Sequence, residues 1–329
     1  MSALAPTLQA FFIDRLLTQR QASPRTVTAY RDTLRLLLGF AQQRTGTPPS
    51  RLDIADLDAE LVAAFLTHLE HDRRNGVRTR NARLAAIHSL FRFAALRHPE
   101  HAESIARVLA IPAKRHDRAL LCFLSPAEVN ALLAAPDRST WLGRRDHALL
   151  ALAIQTGLRV SELTSLTIAD LHLGDSPHVK CVGKGRKQRA TPLTGQTVAV
   201  LRAWMRERSG AAADPMFPTR QGRPLSVDAI QWRLAKHVTA AASGCRSLSS
   251  KHVSPHVLRH TCAMNLLHAG VDIATIALWL GHSDIRATQT YLHADLALKE
   301  RALSRTTPLN TAPGRYRPSD TLLTFLEQL

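Results

Sequence analysis

Tyr291 stands in Thr288-Gln289-Thr290-Tyr291-Leu292-His293 and is one of three tyrosines in the 329-residue chain, with Tyr30 and Tyr316. A phenol can act as a nucleophile and leave a covalent intermediate. Its polar neighbours set it apart from a core tyrosine, which more often keeps apolar company at helical spacing. Four further segments carry groups that suit chemistry at phosphorus. In Thr156-Gly157-Leu158-Arg159-Val160-Ser161-Glu162-Leu163 a glycine ends one helix and Arg159 opens the next. Helix N-termini favour anions, and a guanidinium presents a planar fork to phosphate oxygens. In Val182-Gly183-Lys184-Gly185-Arg186-Lys187-Gln188-Arg189, two of the chain's seven lysines fall at a glycine-flanked turn. Such a lysine can protonate a leaving group, or the whole loop can simply touch a DNA backbone. In Ser254-Pro255-His256-Val257-Leu258-Arg259-His260-Thr261, a helix begun at the proline sets His256 and Arg259 three apart on one face, where they can share one phosphate. In Trp279-Leu280-Gly281-His282-Ser283-Asp284 the glycine ends a helix, His282 lies in the turn, and Ser283 can cap the helix leading to Tyr291.

A metal is a poorer account of these residues. His252, His256, His260 and Cys262 are neighbours in sequence. Pro255 interrupts them, however, and neither H-E-x-x-H nor a paired-cysteine spacing occurs. No carboxylate cluster has the spacing of a Mg²⁺ site, so no metal and no cofactor is expected. The cysteines at 122, 181, 245 and 262 are scattered, as free thiols in a reducing compartment would be.

The elements that must position these groups divide into two sets. Ser23-Pro24 reads as an N-cap with proline in the first turn, ahead of Val27, Tyr30, Leu34, Leu37 and Leu38 at helical spacing. A second helix carries Leu61, Phe65 and Leu69 and stops near Gly76. A third starts near Thr79, buries Leu84, Ile87, Leu90 and Phe91, and is flanked by Arg78, Arg80, Arg83 and Arg92. Those arginines are either a solvated face or DNA contacts. A short helix around Ile105, Val108 and Leu109 closes the unit. Residues 111–118 are basic, contain Pro112, and lack an apolar period, as a linker does. Beyond them Ser125-Pro126-Ala127-Glu128 is a capping box. A helix from Arg144 to Thr156, a hairpin from His178 to Pro192, and helices near 195–208, 227–242, 257–268 and 273–280 follow. The end holds Pro308, Pro313 and Pro318, then Leu322, Leu323, Phe325 and Leu326.

Charge narrows the partner. Lysine and arginine number 43 against 26 acidic residues, a formal charge of +17. Such an excess favours a polyanion, because each neutralised phosphate releases counterions. A membrane partner would want a basic amphipathic helix beside an apolar anchor, and neither is present. No apolar run reaches the roughly 18 residues of a membrane span, and the N-terminus is a poor signal peptide. A cytoplasmic protein is expected.

In this order and at these separations, the segments resemble the catalytic domain of tyrosine recombinases of the phage-integrase type. The similarity to Xer-like bacterial members is strong over 254–291. By motif the resemblance covers about 120–300; over about 1–110 it is architectural only. It implies a mainly α fold with a small β-hairpin or sheet. An N-terminal helical, SAM-like core-binding domain (1–110) and a basic linker (111–120) would precede an α+β catalytic domain (121–305). The C-terminal tail (306–329) would have an apolar end able to dock on a neighbouring protomer or its own domain.

The family's catalytic residues then correspond to Arg159, Lys184, His256, Arg259, His282 and Tyr291. Arg159 and Arg259 would neutralise charge on the non-bridging oxygens. His256 would be the general base for a phenol whose unperturbed pKa is about 10. Lys184 would protonate the departing 5′-oxygen, His282 would hydrogen-bond the phosphate, and Glu162 would orient its neighbours. Arg78, Arg80, Arg83, Lys114, Arg115, Arg186, Lys187 and Arg189 would contact DNA. The implied reaction is strand cleavage and rejoining through a 3′-phosphotyrosine, free of metal and ATP. The implied partners are double-stranded DNA and three further copies in a tetramer on it, or related recombinases. The long tail after Arg305 favours a mobile element over dimer resolution of Xer type. A DNA-binding regulator without catalysis and a type IB topoisomerase are the competing functions.

Overall fold

A computed structural model describes residues 4–115, 121–183, 188–282 and 284–294, apart from the side chains of Arg286, His293 and Ala294. The chain divides into two compact units, Met1–Ala119 and Leu120–Leu329.

The first unit is helical. α1 (Leu4–Ala10) runs on as a π-helical stretch, Phe11–Gln19. α2 (Pro24–Thr45) begins where Ser23 accepts a hydrogen bond from the Thr26 amide, and it stops at Gly46 in the left-handed region. α3 (Ala59–His71), α4 (Val77–Ala95) and α5 (Ala102–Leu109) complete it. Their inward faces carry Leu34, Leu37, Val62, Phe65, Leu69, Leu84, Ile87, Leu90, Phe91, Ile105 and Val108 in one apolar core. The helical spacing in the sequence dictates this, since each buried set recurs every three or four residues.

Two of the basic residues expected on DNA, Arg80 and Lys114, have other work in this unit. Arg80 is a correction: it is only 6% exposed. Its guanidinium donates to the Pro112 carbonyl at 3.0 Å and to Asn81 Oδ1 at 3.1 Å. The helical period turns it inward, where it holds residues 111–115 against α4. The Lys114 ammonium lies 2.7 Å from Glu70, and Lys114 and Asn81 exchange backbone–amide hydrogen bonds. Arg83 is half-buried, while Arg78 and Arg115 are exposed.

The second unit is α+β. α6 (Pro126–Ala134) starts on the expected reciprocal capping box of Ser125 and Glu128. α7 (Trp141–Thr156) begins three residues earlier than the sequence spacing suggests, because Thr140 caps the Gly143 amide. A Cβ at Gly143 would fall 1.8 Å from the Asp137 carbonyl oxygen, so only glycine permits this entry. α7 is buried on nearly every side and packs against the later helices Gly195–Glu207 and Pro255–His268. α8 (Val160–Ser165) follows at once.

A three-stranded antiparallel sheet then forms from β1 (Leu171–His172), β2 (His178–Val182) and β3 (Gln188–Pro192). The expected hairpin is therefore extended by β1, a two-residue strand too short to show a period of its own. β2 and β3 pair from His178↔Pro192 to Val182↔Gln188. Lys184, Arg186 and Lys187 lie outside the described residues. α9 (Gly195–Glu207), α10 (Val227–Ala242), α11 (Pro255–His268), α12 (Ile273–Leu280) and α13 (Arg286–Ala294) complete the unit.

Its main core gathers Leu152, Leu163, Val179, Leu201, Trp204, Phe217, Leu234 and Leu258. A buried ionic knot, invisible in the sequence, ties α7 to α10: Asp146 accepts from Arg145, Arg233 and the His237 ring. A second apolar cluster joins α11, α12 and α13 through Cys262, Met264, Leu267, Ile276, Leu280 and Tyr291. The tail 306–329 lies outside the described residues. No described helix is long and apolar enough to cross a membrane.

Candidate active site

Gly157 ends α7 with φ +63°, and a Cβ there would meet Leu280 at 2.8 Å and Cys262 at 3.1 Å. This close approach brings the α7–α8 turn against the α12–α13 turn, where Arg159 and Gly281 meet across 122 residues of sequence. Two guanidinium groups span the junction. Arg259, on α11, is 2% exposed and donates to the Gly157 carbonyl and the Leu280 carbonyl, each at 2.6 Å. Arg159 donates to the next carbonyl, that of Gly281, at 3.2 Å, and its side chain is 31% exposed. The two expected arginines therefore converge. Burial first, and then the charge of Arg159, pushes the Arg259 pKa down to about 10, so it remains a cation at neutral pH.

Glu162 joins them to the sheet. Its carboxylate accepts from the Arg159 guanidinium at 2.9 Å and the Arg159 amide at 2.8 Å. The short helix α8 thus has its first turn satisfied by Glu162 and not left open to an anion. The same carboxylate accepts two bonds from Arg189 of β3, at 2.9 and 2.7 Å. Arg189 is accordingly a correction: its side chain is 11% exposed and turned inward, a positioning group and not an outward DNA contact. Burial alone would raise the Glu162 pKa, but the Arg189 bonds, then the Arg159 amide, hold it below the usual carboxylate range.

Because the folded value lies below the unfolded value of 4.5, this stabilisation is complete above that pH and fades as pH falls through the folded pKa. Glu162→Gln leaves Arg189 buried without its counter-ion, which costs about 3–5 kcal/mol. Thermal melts should show a large gap between wild type and Glu162→Gln from pH 6 to 8, closing below about pH 4.5. A gap that stays constant to pH 3 would remove the ion pair as its cause.

The histidines are distributed otherwise than expected. His256 is exposed on the first turn of α11 and is not the residue bonded to the phenol. That contact belongs to His260, whose Nδ1 lies 3.1 Å from Tyr291 Oη. The His256 and His260 rings meet edge-on with centroids 4.4 Å apart. Positions four apart stack on one helix face, so the H-x-L-R-H wording already held this pair. Only the tertiary structure shows which member meets the tyrosine. Partial desolvation of the His256 ring by its close neighbours, then Arg259 and Arg159, lowers its pKa although the residue as a whole is exposed. Burial, His256 and Arg259 push His260 down to about 4. His282 follows Gly281 (φ +65°), and its Nδ1 lies 2.7 Å from the Thr288 hydroxyl. Burial and the surrounding arginines push it to about 4 as well.

Tyr291 also departs from expectation. It is 2% exposed and packs into the second apolar cluster. Gln289 is exposed, whereas Thr288 and Tyr291, three apart on α13, face inward. Helical period, and not the character of adjacent residues, decides the face. Burial pushes the phenol up to about 12, against the opposing pull of Arg259. Burial likewise pushes the Cys181 and Cys262 thiols to about 11 and 12, which leaves neither a ready nucleophile. Among the described residues no group of three or more His, Cys, Asp or Glu could hold a metal ion.

The family profile "Phage integrase family" matches residues 122–297, and "Phage integrase, N-terminal SAM-like domain" matches 10–98. The chain belongs to the phage integrase family. Membership carries the activity of a tyrosine-type site-specific recombinase, and the mainly helical fold with a small sheet agrees with it. Among similar proteins is the "putative integrase/recombinase y4rC" of Sinorhizobium fredii, 53% identical over 328 residues, which are 100% of this chain and 99% of that one. Tyrosine recombinase XerC of Xanthomonas campestris is 37% identical over 295 residues, covering 90% of this chain and 85% of that one. Solved structures that share the fold include two recombinases on DNA. XerH recombinase on its difH substrate has a TM-score of 0.67 at 22% identity, covering 87% of this chain and 81% of that one. The Tn1549 transposon integrase with circular intermediate DNA has a TM-score of 0.69 at 16% identity, covering 93% and 100%.

Proposed function

We propose that this recombinase grips the scissile phosphate of duplex DNA between Arg159 and Arg259 and attacks it with Tyr291. The observation that carries the reading is the anchoring of both guanidinium groups on the successive carbonyls of Leu280 and Gly281. It fixes two cations beside His282 and the helix that bears the phenol. His256, exposed on the same turn as Arg259, shares the phosphate, and His282 donates to it. Lys184 protonates the 5′-oxygen as it leaves. The product is a 3′-phosphotyrosine and a free 5′-hydroxyl, so rejoining to another strand needs no ATP. Because the phenol is buried, DNA binding must uncover it, so that Oη meets phosphorus while it keeps the His260 ring as its neighbour. Arg78 and Arg115, both exposed, add phosphate contacts of the kind that position without reading sequence.

The working assembly is a tetramer on two duplexes, in the cytoplasm, and the element served is a mobile one. The 53% identity to a protein named integrase/recombinase supports the last point. Dimer resolution is the second reading, favoured by the 37% identity to a XerC over 90% of the chain.

The test is covalent capture. Wild-type protein is incubated in EDTA with a pool of nicked 50-bp duplexes whose central tract is randomised. An SDS-stable adduct is expected, with the nucleotide on the peptide that holds Tyr291. A strict need for divalent metal, or an adduct on another residue, overturns the reading. Sequencing the captured DNA separates the two biological settings. Deletions or inversions of a plasmid bearing the recovered sites, as against relaxed circles, separate recombinase from topoisomerase.

A further inference from the structure

We infer that His260 is a further catalytic residue, the proton acceptor for the Tyr291 phenol. This rests on the proposed role of Tyr291 as nucleophile. Among the described residues, the ring of His260 is the one hydrogen-bonded to Tyr291 Oη, at 3.1 Å. The rings meet edge-on, centroids 5.5 Å apart at 66°, so Nδ1 is directed at the hydroxyl. His260 is half-buried between His256 and the phenol, four residues past the one and in contact with the other. The charged and titratable groups around it are His256 and Arg259 on α11, Tyr291 on α13, and Arg159, which acts on both His256 and the phenol. Burial first, then His256 and Arg259 beside it, keep the imidazole neutral. A neutral ring with its proton on Nε2 presents the Nδ1 lone pair to the hydroxyl. The opposite tautomer would leave the buried O–H without an acceptor.

The step balances within the site. As the oxygen of Tyr291 bonds to phosphorus, its O–H bond breaks and the proton passes to His260 Nδ1. The bond from phosphorus to the 5′-oxygen breaks, and that oxygen takes a proton from the acid assigned to Lys184. Rejoining reverses each movement: the 5′-hydroxyl attacks, and the departing phenolate recovers its proton from the imidazolium. At rest the proton stays on the phenol, because the ring is a weak base and the buried phenol a weak acid. The balance changes late in the step, when the oxygen becomes that of an aryl phosphate ester and loses almost all its basicity. A weak base then suffices, and a histidine kept neutral at every physiological pH is always ready to act as one.

The test uses single-turnover cleavage of a nicked duplex selected by covalent capture with the wild type. Should wild type form no adduct, the proposed function itself fails; the variants are read only against an active parent. His260→Gln and His260→Ala should cleave about 10²–10³-fold more slowly, with melting temperature and DNA retention near those of wild type. Wild-type rate should be flat from pH 6 to 8. In both variants the rate should climb about tenfold per pH unit, because the phenol must then ionise unaided. Added imidazole should restore part of the rate of His260→Ala, with the cavity left by the ring as its seat. A near-normal rate in His260→Gln overturns the inference. So does a slow variant whose pH profile is unchanged and which imidazole does not rescue, the signature of a merely structural residue.

Discussion

Tyr291→Phe should abolish the covalent protein–DNA adduct while leaving a folded, DNA-binding protein. The substitution removes one oxygen from a ring that is 2% exposed and packed among Cys262, Met264, Leu267, Ile276 and Leu280. The ring and its burial are kept. What is lost is the hydrogen bond to His260, worth about 0.5–1.5 kcal/mol net, with a further cost for the unpaired ring nitrogen. A melting temperature within a few degrees of wild type is therefore expected, and DNA retention should match. The adduct should fall below detection, since among the described residues no neighbouring group replaces a phenol: Tyr30 is stacked on Phe11 in the other unit, and burial holds the Cys262 thiol beside the ring protonated. Adduct at wild-type yield from Tyr291→Phe would move the nucleophile elsewhere and end the case for this site.

Arg259→Ala and Arg259→Lys should each slow cleavage by about 10³-fold or more. Removing a preorganised donor aimed at developing charge costs about 10²–10³-fold, and loss of an arginine that stabilises a phosphoryl transition state costs up to about 10⁵-fold. Arg259 belongs at the high end because its orientation is fully determined by the Gly157 and Leu280 carbonyls. A lysine ammonium keeps the charge but cannot span both carbonyls and still offer a planar fork. Duplex affinity should fall less than about tenfold, since phosphate contacts are spread over a chain of formal charge +17. Alanine also strands two buried carbonyls, so melts must accompany the kinetics. The lysine variant separates lost chemistry from lost fold. Near-normal turnover in Arg259→Lys at intact stability would take the residue out of the site.

Much of this site is legible in the sequence. The segments around Arg159, His256, Arg259 and His282 are each bounded by a glycine, a cap or a proline, and such local signals depend on a few adjacent residues. They placed the helix ends within about three residues. Other features stayed hidden because they are pairings across the chain. Arg189 meets Glu162 over 27 residues, and Arg145, Arg233 and His237 meet around Asp146 over as many as 91. Arg80 sits in a run of arginines that composition presents as one solvated face, yet its position on α4 turns it toward Pro112. β1, two residues long, has no pattern to find.

Sequence alone settled the kind of chemistry, because the order of an arginine, a histidine–arginine pair, a glycine–histidine turn and a tyrosine survives without any knowledge of packing. It also settled the partner's charge and the helical frame, both properties of composition and local period. Tertiary structure alone decided which histidine touches the phenol, that the phenol is buried and strongly protonated, and that one carboxylate binds two guanidinium groups. Those are matters of burial and of distance between residues remote in the chain. Free energies of desolvation and charge pairing depend on what surrounds a group in space, and a string of residue types does not contain that.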